Sequence, residues 1–306
     1  MVEEGYLAVF YDFFTICQVC LFIRGGYKLK KDRLIENEAE MKVSRNVLMC
    51  GPDYYGVKYE INPWMRIENQ PDGKKAILQW NTLKGALEQA GLSVSLIGQS
   101  PELPDMVFTA NAGLIHNRTI ILSNFRYPER RGEKKFFREY FLSLGYQFES
   151  LPHGFFEGEG DAIFCGDEFV CGYGFRTDEL GAILVGYLID KEPILLELTD
   201  PHFYHLDTCF CPLKVNKKNL IICYLQAFDS FDQAKIERLG EIIPVSRCDA
   251  ESFVCNAVQI GDKIVTTPMS KHLKNTLEKH NIEPLEVDLS EFIKAGGAAK
   301  CLTLFI

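Results

Sequence analysis

The sequence predicts an α/β fold built from repeated modules standing about a common axis. The first observation is a repeat. Four segments share a small or polar residue, an apolar strand, a tight polar turn and a second apolar strand: "NAGLIHNRTIIL", "DAIFCGDEFVCG", "TCFCPLKVNKKNLIIC" and "NAVQIGDKIVTT". Their first residues, 111, 161, 208 and 256, are 50, 47 and 48 positions apart. Second, helix-like stretches separate the hairpins, so each module reads as a hairpin, a helix and one more strand. Third, the same period carried past Asn256 predicts a fifth start near residue 304, and the terminal "CLTLFI" begins at Cys301.

Each element follows from local chemistry. The N-terminal run "LAVFYDFFTICQVCLFI" (7–23) is shorter than the roughly 20 apolar residues of a spanning helix, and Glu3 and Glu4 precede it where a signal peptide carries positive charge. It is expected to be an additional packed segment or an upstream over-extension rather than a membrane anchor. The charged stretch 32–45 reads as a linker or short helix. Residues 1–43 are thus expected to be an extension, and 44–306 the catalytic domain. "KKAILQWNTLKGALEQAG" (74–91) reads as a helix. "GEKKFFREYFLSLG" (132–145) places Phe136, Phe137, Tyr140, Phe141 and Leu144 on one stripe and ends at Gly145, as helices often do. "FDQAKIERLGEI" and "SKHLKNTLEKHN" behave likewise. In three hairpins Asn117, Asp167 and Asp262 fall six residues after the start, where a tight turn wants residues tolerant of positive φ. The third hairpin is expected to have a longer turn through Lys217, Lys218 and Asn219. Cys301 is read as the first residue of a truncated fifth hairpin, whose missing strand "NVLMC" (46–50) would supply.

Composition narrows the function. A net charge of −9 argues against phosphate-backbone binding, which rests on clustered Lys and Arg, and suits a cationic small substrate. The 11 cysteines lie mostly single in apolar stretches, unlike a secreted disulfide scaffold, so a reducing cytosol is expected. No G-x-G-x-x-G precedes a helix, and no nucleotide or other cofactor is expected. A homo-oligomer stays open.

Polar residues cluster at the five module starts. If the starts converge on the axis, Asn111, Asp161, Thr208, Asn256 and Cys301 meet there with Asp105, Glu157, Glu159, His205 and Asp207. Unpaired buried charge is costly, so such a cluster marks a site. Cys301 supplies a nucleophile, His205 stabilises its thiolate and then moves protons, and Glu157 orients the histidine. The extra carboxylates fit a planar cation, a guanidinium, whose carbon is electrophilic. Asp161 has a blander reading, bonding backbone at the hairpin entrance, and Glu159 is assigned no role. In "AGGAAKCLTLFI" the glycines form a turn, and the small residues before Cys301 are expected to leave room for a substrate.

The ordered motifs D-x-x-F-x-x-N, E-G-x-G-D, H-x-D and G-G-A-x-K-C resemble the guanidino-group-modifying enzymes, the pentein superfamily, over roughly 44–306. The resemblance implies a five-bladed α/β propeller (the pentein fold) of about five ββαβ modules. It also implies an S-amidino intermediate on Cys301, with His205 as acid–base and Glu157 as its partner. Asp207 would lie against the substrate guanidinium, a position that dimethylargininases generally lack, which favours an unmethylated substrate. Asn111 stands where deiminases and dimethylargininases carry Asp. An amide donates as well as accepts, so it could hold a neutral ureido product for a second hydrolysis. "YEINPWM", "SNFRYPER", "GYGFRTD" and "YHLDTCFCPL" also look like arginine dihydrolases. By that likeness Asn62, Arg130 and Arg176 would contact the amino-acid end of arginine, the two arginines pairing with its carboxylate. Arginine dihydrolysis is the leading expectation, with dimethylargininase, deiminase and amidinotransferase as alternatives. A zinc-binding module using His202, His205, Cys209 and Cys211 is the reading of another class, disfavoured by the tight Cys-x-Cys spacing and by one-face packing on a strand. No metal is expected.

Overall fold

The computed structural model describes residues 46–306. The expectations for 1–43, the apolar run 7–23 included, fall outside the described residues. Among those described, no helix is long and apolar enough to cross a membrane.

Five three-stranded sheets repeat one connection, in which an antiparallel hairpin is followed by a crossover to a third, parallel strand. The first runs β3 (Gly113–His116), β4 (Thr119–Leu122), β5 (Gln147–Ser150). The second runs β6 (Ala162–Cys165), β7 (Glu168–Tyr173), β8 (Pro193–Glu197). The third runs β9 (Phe210–Val215), β10 (Lys218–Cys223), β11 (Glu241–Pro244). The fourth runs β12 (Val258–Ile260), β13 (Lys263–Thr266), β14 (Glu283–Glu286). Parallel neighbours need a long connection. Helices α2 (Glu133–Ser143), α3 (Glu179–Leu188), α4 (Ser230–Leu239) and α6 (Lys271–Lys279) provide it, with a short α5 (Arg247–Glu251) ahead of the fourth sheet.

The fifth sheet closes the ring from both ends of the described chain. β15 (Leu304–Phe305) pairs antiparallel with β1 (Asn46–Cys50), Leu48 opposite Leu304, as expected. β1 pairs parallel with β2 (Ser93–Ile97) across α1 (Gly73–Gln89). A last short helix, α7 (Ser290–Ile293), precedes the terminal turn. The architecture is a five-bladed α/β propeller. Asp72, Asp178, Asp229 and Ser270 cap α1, α3, α4 and α6 through their side-chain oxygens, which fixes where each crossover begins. Between helix and sheet the blades are apolar: Phe137 and Phe141 of α2 are fully buried in a cluster with Ile120 and Leu122 of β4.

Two turn expectations are corrected. Asn117 does adopt positive φ, with Arg118, but in the second and fourth hairpins the left-handed residue is the preceding glycine, Gly166 or Gly261, rather than Asp167 or Asp262. The third hairpin has no longer turn. Asn216 and Lys217 form a two-residue turn, and β9 and β10 are each two residues longer than β3 and β4, which absorbs the extra sequence.

Candidate active site

The five module starts do meet, but not on the first strands. Asn111 and Thr208 lie in 3-10 turns, Asp161 directly follows one, and Asn256 and Cys301 sit in turns ahead of β12 and β15. Bonds run from blade to blade around the axis. Asn111 Nδ2 donates to the Glu157 carbonyl (2.9 Å), Asp161 Oδ2 meets His205 Nδ1 (2.9 Å), and Asn256 Nδ2 donates to the Asp207 carbonyl (3.2 Å) and Cys301 Sγ (3.0 Å). The Ala110 N–H closes the ring on the Cys301 carbonyl (3.2 Å).

Cys301 is 3% exposed, and its thiol donates to Asp207 Oδ2 at 3.3 Å. Burial first, and the Asp207 charge second, push the thiol well above its ordinary pKa. Burial likewise raises Asp207 to about 6, although His205, Lys300 and the thiol hydrogen bond pull the other way. The expected contact of His205 with the thiol is corrected: the sulfur's hydrogen-bond partners are Asp207 and Asn256. Asn256 Oδ1 also accepts from the backbone N–H groups of Ala298 and Cys301, fixing the turn that presents the thiol.

His205 lies between two carboxylates. Asp161 holds Nδ1, and Glu157 Oε2 lies 3.3 Å from Nε2 without hydrogen-bond alignment. Burial alone would lower the imidazole pKa, but Asp161 and Glu157 outweigh it and raise it to about 9. Asp161 also accepts from the Leu206 N–H and the Thr177 hydroxyl. It therefore positions the histidine as well as the backbone, and none of its bonds points to a substrate-contact role. Gly160 permits the close approach, since a Cβ there would lie 2.5 Å from Asn111 Nδ2 and 3.2 Å from His205 Nδ1.

Burial opposes ionisation of Glu157, but Arg176, His205 and Arg130 hold it well below the usual carboxylate range. Arg176 donates to Glu157 (2.9 Å) and to the Ile61 carbonyl (3.1 Å), between the rings of Tyr127 and Tyr204. Arg130 makes a two-pronged pair with Glu133 (2.8 and 3.0 Å) and bonds Asn111 Oδ1 (2.8 Å) and the Asp105 carbonyl (3.3 Å). Asn62 caps its own loop and donates to the Ala295 carbonyl (3.1 Å), while Trp64 Nε1 donates to the His202 carbonyl (2.7 Å). Segment 51–72 is thereby tied over residues of the site.

Six buried side-chain nitrogen or oxygen atoms among the described residues make no well-aligned hydrogen bond, and four belong here: the Tyr59 hydroxyl faces Asp105, His205 Nε2 faces Glu157, and Asp207 Oδ1 has no protein group opposite it. Buried polar atoms are normally satisfied, so this concentration marks where a polar ligand fits. Its acceptors are carboxylates and its surroundings a thiol and an imidazole.

Residues 60–306 match the family described as N,N dimethylarginine dimethylhydrolase, eukaryotic. The chain belongs to that family. Among curated relatives of this dimethylhydrolase-family chain, the bifunctional arginine dihydrolase/ornithine cyclodeaminase ArgZ of Synechocystis sp. is 40% identical over 265 residues, covering 84% of this chain and 37% of that protein. The chain therefore spans little more than a third of that relative. The N(G),N(G)-dimethylarginine dimethylaminohydrolase of Mycobacterium tuberculosis is 37% identical over 264 residues, covering 86% of each. The substrate-bound N-terminal domain of ArgZ, a cysteine-to-serine mutant of a cyanobacterial arginine dihydrolase, superposes with TM-score 0.80 at 39% identity, covering 85% of this chain and 97% of that one. An asparagine-to-serine variant of the same domain, with equal TM-score at 40% identity over 85% and 96% of the two chains, is covalently bound to a reaction intermediate.

In the dimethylhydrolase-family domain the structure brings together Cys301, His205, Glu157, Asp207, Asp161, Asn111, Asp105, Arg130 and Arg176, all at most 3% exposed, while Asn62 bonds its own loop and the Ala295 carbonyl. Both arginines are engaged by protein groups. The tail glycines do form the expected turn, Gly296 with positive φ, but the expected open space is corrected: a Cβ at Gly296 would strike the Tyr204 hydroxyl and one at Gly297 the Phe108 ring, so both serve close packing. Sequence reasoning gave no role to Asn256, Glu133, Thr177 or Tyr59. Only Asn256 carried a signal, its place at a module start. The zinc reading is not supported by the geometry. His202 turns to Asp200 and His205 to Asp161, the thiols of Cys209 and Cys211 face the Leu206 and Ala257 carbonyls, and no metal-holding cluster forms among the described residues.

Proposed function

We propose that this domain hydrolyses the guanidino group of free arginine twice, giving ornithine, two ammonia and carbon dioxide. The observation that carries the reading is the buried carboxylate of Asp207, which holds the Cys301 thiol with one oxygen and leaves the other without a partner. That oxygen can accept an N–H, which every nitrogen of an unmethylated guanidinium offers and a nitrogen carrying two methyl groups does not. The likeness to the cyanobacterial arginine dihydrolase, over most of this domain, supports the same substrate.

The chemistry follows from the charges. The resting thiol keeps its proton; a bound guanidinium offsets the Asp207 charge, the thiol proton passes to solvent, and the thiolate forms. The sulfur adds to the guanidino carbon, a C–N bond breaks, and His205, protonated at neutral pH, gives its proton to the departing amine, which leaves as ammonia. Water then adds to the S-amidino carbon, His205 takes one of its protons, a second passes to solvent, and the C–S bond breaks to release a ureido group. Asn111 would hold that neutral group for a second round, in which the released thiolate adds to the ureido carbon and His205 gives a proton to the second departing ammonia. Water then cleaves the new C–S bond to give a carbamate, which takes a proton and loses carbon dioxide to leave ornithine, the thiolate regaining its proton from solvent.

Purified protein should convert arginine to ornithine with two ammonia per arginine. Accumulated citrulline with one ammonia, or dimethylamine released from dimethylarginine in preference to any turnover of arginine, would reject the reading.

A further inference from the structure

A cavity of about 260 Å³ lies on the axis, on the side of the reactive ring toward which the inner strands run. Every blade contributes to its wall from its inner strand: Leu114 of β3, Ile163 of β6, Cys211 of β9, Val258 of β12 and Phe305 of β15. No residue of 51–72 lines it. At the inner end stand Asp207, Glu159 and Lys300. Lys300 Nζ and Glu159 Oε2 are paired at 2.7 Å, each side chain 15% exposed. Asp207 faces both ways, lining the cavity while its Oδ2 holds the Cys301 thiol at 3.3 Å. A single carboxylate and one ion pair thus separate the cavity from the reacting sulfur. Toward solvent, the wall includes Phe164, at 36% exposure.

This inference rests on the reading above, in which the substrate remains covalently attached while ammonia leaves and water arrives. The other side of the centre is closed. Asn62 and Trp64 tie segment 51–72 to the Ala295 and His202 carbonyls, and Arg176 bonds the Ile61 carbonyl. Opening that side during turnover would expose the S-amidino carbon to bulk solvent and release the substrate's anchoring contacts. We propose that the axial cavity is the passage by which small neutral molecules, ammonia outward and water inward, are exchanged with the Cys301 centre, and that the Lys300 and Glu159 pair is its gate. The gate suits neutral species, because a paired ammonium and carboxylate offer water and ammonia hydrogen bonds on both sides. No step of bond making is assigned to either residue.

The test uses two variants of opposite effect. Ile163→Trp adds bulk within the cavity on β6, away from every group assigned to chemistry, and Glu159→Ala removes half of the gate. Ile163→Trp should lower kcat on arginine about tenfold with arginine affinity unchanged. A readout independent of turnover is the rate at which hydrogen peroxide, a water-sized neutral molecule, oxidises Cys301 in the substrate-free protein. It should fall at least threefold in Ile163→Trp and rise at least threefold in Glu159→Ala. Equal oxidation rates in the folded variants and the parent would overturn the passage, whether or not arginine is the substrate. Should the plugged variant fail to fold, an unchanged rate in Glu159→Ala would overturn it alone. Absence of arginine turnover in the parent protein would reject the functional reading and leave the oxidation comparison to decide the passage.

Discussion

Asp207 Oδ2 accepts a hydrogen bond from the Cys301 thiol at 3.3 Å, so the residue proposed to bind the guanidinium also holds the thiol in its protonated form when no cation is bound. The two roles separate on substitution. Asp207→Asn removes the negative charge and should lower the thiol pKa. Alkylation of Cys301 by iodoacetamide at pH 8 should then speed up roughly tenfold, the effect of about one pKa unit. Turnover of arginine should fall about 100-fold, the scale for losing one charge-stabilising partner at a reacting centre. Parallel loss of both rates would mean that Asp207 merely maintains structure.

The histidine gives a pH prediction. His205 is raised from an ordinary 6.5 to about 9 by Asp161 and Glu157 against its burial, and the proposed proton delivery needs the charged form. The basic limb of kcat/KM should therefore lie near pH 9, and Asp161→Asn should move it at least one unit lower. Stability follows with a defined sign. A folded-state pKa above the unfolded one stabilises fully below about pH 6.5, and that contribution is lost as pH rises through 9. The Tm deficit of Asp161→Asn relative to the parent should thus be largest in mild acid and shrink toward pH 9. A deficit constant across this range would show that Asp161 acts only through its backbone and Thr177 bonds.

Asn111 has two reasons to be an amide. Its Nδ2 donates to the Glu157 carbonyl while its Oδ1 accepts from Arg130, so a carboxylate would keep the second bond and set an acceptor against an acceptor at the first. Asn111→Asp should consequently disturb the Glu157 backbone as well as remove the donor proposed for the ureido group. Product counting separates these effects. Accumulation of citrulline with one ammonia per arginine is expected. A uniformly slower reaction that still yields two ammonia would assign the amide to backbone support alone.

The repeat was legible because hairpins and amphipathic helices are written in local patterns, and the strand exchange between Asn46–Cys50 and the tail followed from counting the period. The convergence of Asn111, Asp161, Asn256 and Cys301 was legible for the same reason. Pairings were not. Asp161 rather than Glu157 takes the aligned bond to His205, and Asp207 and Asn256 rather than His205 reach the thiol, because the directions of side chains are set by 3-10 turns ahead of the strands. Glu133 was invisible for a different reason. It looks like an ordinary first-turn acid on an amphipathic helix, and only the fold shows it buried against Arg130.

Asn256 is the position at which sequence and structure together predict most. Its amide makes four bonds, accepting from the Ala298 and Cys301 N–H groups and donating to the Asp207 carbonyl and Cys301 Sγ. Asn256→Ala leaves these buried groups unmatched and should destabilise the domain by about 2–4 kcal/mol, taking roughly 1–3 kcal/mol per stranded group with partial relaxation. That corresponds to a Tm drop of roughly 5–10 °C for a domain of this size. Asn256→Asp keeps the acceptor for the two N–H groups, so the tail turn should survive with a smaller loss. It replaces the donor to sulfur with a second negative charge beside the thiol, which raises the thiol pKa further. Cys301 alkylation at pH 8 should therefore be slower than in the parent, opposite to Asp207→Asn, although the protein folds. Faster alkylation in Asn256→Asp would mean that the turn, not the charge, controls the nucleophile.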